Sequence, residues 1–291
     1  MESSQASKGE SNQSRGLAGL RVVVFESRRA EEIAGMIRRH GGEPVSAPAL
    51  QEVPLSENGP ALEFARLLSK GEIDVVIFLT GVGAGFLADA IAPALSRKDF
   101  AAGLRTVTTV VRGPKPAKVL RDIGVSPSIT VPEPNTWREL LAAMDERVPP
   151  AGKRIAVQEY GEENPELLSA LAQRGAAVMR VPVYRWALPD DLGPLRDAIR
   201  QIIDGRIDLA LFMSATQAEH LFQVAGRDQA ARLTAAFARV VVASIGPMCS
   251  QALKRHGLRV DIEPQHPKMG FLVNEVAAQA AALVSARRKA G

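Results

Sequence analysis

Short apolar runs recur along this chain, separated by polar turns rich in Gly and Pro, and most are followed by a stretch with helical spacing of its apolar positions. Residues 20–25 form an apolar run of buried-strand type, interrupted only at Arg21, and Ile33, Met36 and Ile37 then fall on one face of a helix. His40-Gly41-Gly42 stops that helix, with Gly supplying the left-handed cap. The same reading predicts a helix over 61–68, a strand over 73–79 opening into Thr80-Gly81-Val82-Gly83-Ala84-Gly85, and a helix through Ile91. A strand over 106–111 runs into Arg112-Gly113-Pro114-Lys115-Pro116, followed by a helix over 117–123. After a short strand over 126–131, Thr136 is placed as the N-cap of a helix over 137–144, with Glu139 as its capping-box partner. Strand, polar turn, helix, repeated in this way, predicts α/β architecture with parallel sheets covered by helices.

The pattern then repeats itself. Arg154-Ile155-Ala156-Val157 matches Arg21-Val22-Val23-Val24, 133 residues apart, and Ile207-Asp208-Leu209 matches Ile73-Asp74-Val75, 134 apart. Gly246-Pro247 after an apolar run matches Gly113-Pro114, again 133 apart. Three ordered matches at nearly one offset indicate an internal duplication, and so long a period means two similar lobes of flavodoxin-like or Rossmann-like type rather than a solenoid.

Two Pro-punctuated extended stretches, 43–55 and 179–189, read as the strands of a ribbon, since Pro182 and Pro189 forbid helix while Val181, Val183, Tyr184 and Trp186 favour strand. If the chain leaves one lobe through the first and returns through the second, the lobes are discontinuous. Residues 19–52 with 184–285 form the first, 53–183 the second, with a cleft between them and a disordered tail over 1–18.

Composition narrows the function. The chain has 291 residues and a formal charge of +4, too small an excess to argue for nucleic acid. Cys249 stands alone, which excludes a disulfide framework and points to a reducing, cytoplasmic setting. The first residues lack an apolar signal region, and no apolar run approaches the roughly 18 residues of a membrane span. The basic end at Arg287-Arg288-Lys289 reads as a solvated helix terminus. His40, His220, His256 and His266 have no ligand-like spacing, so no metal site is expected.

In open parallel sheets ligands lie at the carboxyl ends of strands. The turns there carry Arg28, Thr80, Gly81, Val82, Arg112, Gly113, Lys115, Tyr160, Gly161, Asn164, Ser214, Ala215, Thr216, Gly246, Pro247 and Met248. Small residues at helix starts expose backbone N–H donors, and Arg28, Arg112 and Lys115 add positive charge, so the common theme is anion recognition. Ser214 and Thr216 also suit helix caps, Arg112 and Lys115 solvated loop charges, and Cys249 a small core residue. Gly81 to Gly85 falls short of a dinucleotide fingerprint, because position 86 is Phe where a third Gly is required. With neither a nucleophile motif nor a metal, the remaining chemistry is the shaping of a reaction to which the ligand is already prone.

Phe212-Met213-Ser214-Ala215, Ser244-Ile245-Gly246-Pro247, Val181-Pro182-Val183-Tyr184 and Arg112-Gly113-Pro114-Lys115, in that setting of duplicated units, resemble the uroporphyrinogen-III synthase family over residues 20–284. The resemblance implies two α/β lobes joined by a two-stranded ribbon and a cofactor-free, metal-free lyase. It would close linear hydroxymethylbilane to uroporphyrinogen III, losing water and inverting the terminal pyrrole through a spiro intermediate. Tyr184 matches the family's linker tyrosine, which assists departure of the hydroxyl, and the substrate's eight carboxylates fit the anion-binding turns. A monomer, with substrate handed over from hydroxymethylbilane synthase, is the further expectation. The chain departs from the family pattern after the second strand, where only Thr80 and Ala84 are kept, and at Met248-Cys249. Those departures motivate a second reading, a synthase-like module that senses tetrapyrroles or binds a partner without catalysis.

Overall fold

A computed structural model describes residues 16–290, divided into two compact units. The first comprises residues up to Gln51 together with Leu188–Gly291, and the second is Glu52–Ala187.

In the first unit four strands, β1 (Arg21–Val24), β2 (Glu43–Ser46), β10 (Leu209–Phe212) and β11 (Val241–Ser244), form a parallel sheet in the order β11-β10-β1-β2. Side chains alternate across it with the strand period of two. Val23, Phe25, Ala210, Phe212 and Val242 pack on one face with α8 (Gly193–Ile203), α9 (Ala215–Phe237) and α10 (Pro247–Arg255). Val22, Val24, Leu209, Leu211 and Val241 pack on the other with α1 (Ala30–Arg39) and α11 (Met269–Ala290). Burial on both faces is why these strands read as unbroken apolar runs.

The second unit is built the same way. Strands β4 (Val75–Phe78), β5 (Thr108–Val111), β6 (Ile129–Thr130), β7 (Arg154–Gln158) and β8 (Ala177–Val181) form a parallel sheet in the order β6-β5-β4-β7-β8. One face carries α2 (Gly59–Ser69), α3 (Gly81–Ile91), α4 (Arg97–Leu104) and α5 (Pro114–Asp122), and the other α6 (Trp137–Arg147) and α7 (Pro165–Gln173). The duplication extends to strand register. Val22 pairs with Leu209 in one sheet and Ile155 with Val75 in the other, and Ala243 meets Ile262 in an isolated bridge as Val110 meets Ile129 in β5–β6. Asp208 accepts from the Arg21 N–H as Asp74 accepts from the Arg154 N–H, so the staple joining the two central strands is repeated as well.

Several expectations need correction. The stretches 43–55 and 179–189 each split in two, because β2 and β8 join the parallel sheets and only β3 (Gln51–Pro54) and β9 (Tyr184–Ala187) form the two-stranded ribbon. The residues 184–187, assigned by sequence to the first lobe, belong to the second unit, where the Trp186 N–H donates to Gly161 O at 3.1 Å. Residues 16–18, expected to belong to a disordered tail over 1–18, are ordered, since Leu17 is fully buried and its N–H donates to His40 O; residues 1–15 of that expectation lie outside the described residues. Helix α4 escaped notice because its apolar face is only Phe100, Ala101 and Leu104.

Helix α11 also differs from expectation. It is long and apolar enough to cross a membrane by length and composition alone, yet Met269, Leu272, Val273, Val276, Ala277, Ala280 and Val284 are buried in the core of the first unit. Its basic end is not simply solvated: Arg287 makes a two-pronged bond to Asp261 at 2.7 Å, and Arg288 pairs with Asp208 at 2.7 Å.

Candidate active site

At the carboxyl ends of β4, β5 and β7 the second unit gathers most of the chemistry expected of it. Thr80 caps α3: its backbone is extended and its Oγ1 accepts from the Gly83 N–H at 2.9 Å. Gly81 to Gly85 are therefore the first turn of a helix rather than a loop. Two of these glycines answer to close packing, because a Cβ at Gly83 would fall inside the Gln158 side chain and one at Gly81 would come 3.0 Å from Lys115 O.

Thr80 Oγ1 also lies 3.2 Å from the Tyr184 hydroxyl. Tyr184 is only 4% exposed and its ring packs against Phe86, the centroids 5.6 Å apart. Burial pushes its phenol above the ordinary value, opposed by hydrogen bonds from Thr80 and the Gly161 backbone; Glu52 pushes it further up and Arg112 draws it down.

Tyr160 follows β7. Its hydroxyl accepts from Asn164 Nδ2 at 3.2 Å, while Asn164 Oδ1 caps α7 by accepting from the Leu167 N–H at 3.0 Å. Burial raises the Tyr160 phenol too, and the neighbouring Arg112 lowers it. The Tyr160 ring stacks obliquely on Trp186 at 5.7 Å, and Gly161 has no side chain because a Cβ there would enter the Trp186 ring.

Arg112 interacts electrostatically with both phenols. Its guanidinium carbon lies 5.0 Å from the Tyr160 ring centroid, and burial lowers its pKa. Among the described residues no carboxylate pairs with it. A half-buried cation lying over the Tyr160 ring, with no carboxylate partner among the described residues, is suited to receive an anion. Gly113 is the N-cap of α5, and Pro114 at its first position needs no N–H partner. Lys115 is exposed in the first turn of α5.

In the first unit the corresponding strand ends carry Ser214, which caps α9 by accepting from the Gln217 N–H at 3.3 Å, with Ala215 and Thr216 in the first helical turn. Thr216 is thus not a cap. Gly246 caps α10, where Pro247 and Met248 are exposed, Met248 at 71%. Arg28 is exposed after β1. Cys249 is buried, its Sγ 3.7 Å from Phe212 O and its thiol pushed up by burial, as suits a core residue.

Sequence reasoning missed Phe86 as the neighbour of Tyr184 and gave Gln158 no role. Gln158 is the last residue of β7, fully buried, and a polar residue closing an apolar strand was the available signal.

The family description "Uroporphyrinogen-III synthase HemD" matches residues 31–274. The chain belongs to the uroporphyrinogen-III synthase family. Among solved structures it resembles the crystal structure of a mutant uroporphyrinogen III synthase from the extremely thermophilic bacterium Thermus thermophilus, at 26% identity and a TM-score of 0.62, covering 94% of this chain and 98% of that one. Uroporphyrinogen-III synthetase from Helicobacter pylori 26695, at 13% identity and a TM-score of 0.53 over 90% of this chain and 98% of the other, shares the fold. A curated relative from Bacillus subtilis, "Uncharacterized protein YjjA", is 29% identical over 265 residues, which is 90% of this chain and 97% of that protein. Membership of the family accords with the parallel α/β sheets and the duplicated plan of the two units.

Proposed function

We propose that this member of the family is a working uroporphyrinogen-III synthase, closing hydroxymethylbilane to uroporphyrinogen III. The observation that supports this most is Arg112, half-buried and without a carboxylate partner among the described residues, interacting electrostatically with Tyr184, whose hydroxyl Thr80 meets. Arg112 binds a substrate carboxylate, and Tyr160, held by Asn164, lies against its guanidinium. The same reading takes the starts of α9 and α10 in the first unit, around Ser214 to Thr216 and Gly246 to Met248, as further contacts for a polycarboxylate. Arg28, Lys115, Gly81, Val82, Gly113 and Gly161 complete the proposed contacts.

Tyr184 is the general acid. A phenol with a raised pKa remains protonated at neutral pH, so it can deliver its proton to the departing hydroxyl. The carbon–oxygen bond breaks and water leaves; the pyrrole nitrogen supplies the electron pair, giving an electrophilic azafulvene. The terminal pyrrole attacks it through its already substituted carbon, and the resulting spiro centre reopens and recloses with that ring inverted. A proton lost from the product pyrrole balances the one delivered. Positioning decides the outcome, since an unguided azafulvene closes without inversion. The reading takes the protein as a cytoplasmic monomer needing no cofactor, receiving its substrate from hydroxymethylbilane synthase.

The test is to supply freshly made hydroxymethylbilane and separate the oxidised products by isomer. Protein-dependent type III product supports the synthase. Type I product alone, at the uncatalysed rate and from folded protein, overturns it in favour of a non-catalytic tetrapyrrole-binding module.

A further inference from the structure

Gln158 carries a fully buried carboxamide to which the proposed chemistry gives no part. Its Oε1 accepts from the Thr80 N–H at 3.4 Å, and its Nε2 donates to Glu159 O. Its end occupies the space that a side chain at position 83 would need, so Gly83 and Gln158 fit together as a small and large pair. Thr80 is thereby tied at both ends. Its N–H is held by Gln158, and its Oγ1 is held by the Gly83 N–H and meets the Tyr184 hydroxyl.

The duplicated unit supplies an internal comparison. The residue 134 positions after Gly83 is Gln217, buried, whose Oε1 accepts from the Met213 N–H at 2.7 Å. The residue 133 positions before Gln158 is Phe25, which stacks on Phe212 at 4.6 Å. Both units therefore set one buried carboxamide under a backbone N–H at the end of the central strand, next to the capping hydroxyl of the following helix. The helix supplies it in the first unit and the neighbouring strand in the second. Where Gly83 stands in place of a helix-borne amide, a strand-borne one does the same work, and there the capping hydroxyl continues to a phenol. A fully buried amide in an otherwise apolar strand costs desolvation energy unless its bonds are made, which argues that those bonds have a use.

We infer that Gln158 is a positioning residue, holding the Thr80 backbone so that the Thr80 hydroxyl reaches and orients the Tyr184 hydroxyl. The kinetic part of this inference rests on the synthase reading; the geometric part does not. Tyr160 and Tyr184 are the two tyrosines of the chain, so in a Tyr160→Phe background the ultraviolet titration of tyrosinate reports Tyr184 alone.

In that background Gln158→Leu releases Thr80, and the Tyr184 titration moves upward because the hydrogen bond favouring the phenolate is loosened. Thr80→Val moves it the same way, and the double variant moves it no further than Thr80→Val alone. With Tyr160 restored, Gln158→Leu lowers kcat about tenfold while KM stays within about twofold, the split expected when a proton donor is misaimed and binding is intact. Should Gln158→Leu fail to fold, Gly83→Ala displaces the same carboxamide with Gln158 present and is read by the same titration. An unchanged Tyr184 titration in the folded variant, or additive shifts in the double variant, overturns the inference. The titration needs no substrate, so a parent protein that forms no type III isomer would sink the synthase reading and leave this test standing.

Discussion

The Tyr184 hydroxyl lies 3.2 Å from Thr80 Oγ1, across 104 residues of sequence. One comes from the short ribbon strand β9 and the other from the cap of α3, and the oxygen of Thr80 is already engaged by the Gly83 N–H. A phenol so placed is fixed in direction, and this gives the first prediction.

Tyr184→Phe keeps the ring against Phe86 and removes only the hydroxyl. Loss of one hydrogen bond predicts a stability change of about 1 kcal/mol, read by urea denaturation. Type III formation should fall by at least about tenfold. An unchanged rate would retire Tyr184 as the acid.

Arg112→Met should separate stability from binding. Removing a cation that has no carboxylate partner among the described residues relieves a desolvation cost, so the melting temperature is expected to hold or rise. Loss of a charge-assisted contact to a carboxylate is worth roughly 1.5–3 kcal/mol, so KM should rise about 10- to 100-fold. A marked fall in stability would show that Arg112 serves the fold instead.

Gly161→Ala puts a methyl group into the Trp186 ring. Overpacking of this kind predicts a loss of roughly 1–3 kcal/mol, accompanied by a change in Trp186 fluorescence, because the ring must move.

Both phenols are held above their ordinary value, chiefly by burial. The unfolded chain binds fewer protons than the folded one once the pH exceeds the unfolded value, so stability declines from there upward. Each tyrosine's contribution is complete below about pH 10 and is lost as the pH rises through its folded-state value. Urea midpoints measured across that range should fall less steeply in Tyr160→Phe and Tyr184→Phe than in the parent protein.

Thr136→Ala tests a local feature. Thr136 and Glu139 form the capping box at the start of α6, and the Thr136 hydrogen bond holds the Glu139 carboxyl below its usual range. Loss of the cap should cost about 1 kcal/mol, and the substitution should leave the Tyr184 titration where it was.

Much of the fold was readable because its causes are local. Strands buried on both faces must be apolar throughout, as at Val75–Phe78 and Leu209–Phe212, and caps such as Thr136 act within a single turn. The duplication was readable because Arg21 and Arg154 begin the same strand with the same stapling carboxylate, Asp208 or Asp74. The limits of the ribbon were not. Val45 and Val181 look like ribbon residues, but pairing partners, not propensity, decide which sheet an extended segment joins.

By itself the sequence determined the two duplicated α/β units, most of their elements and the residue types at the carboxyl ends of the strands, since periodicity and turn chemistry are written over a few neighbouring positions. Only the tertiary structure decided that Tyr184 meets Thr80, that Arg112 lacks a counter-ion among the described residues, and that Gln158 fills the space left by Gly83. Each depends on side chains from separate strands arriving at one place, and neither burial nor the absence of a partner is encoded within any single stretch of chain.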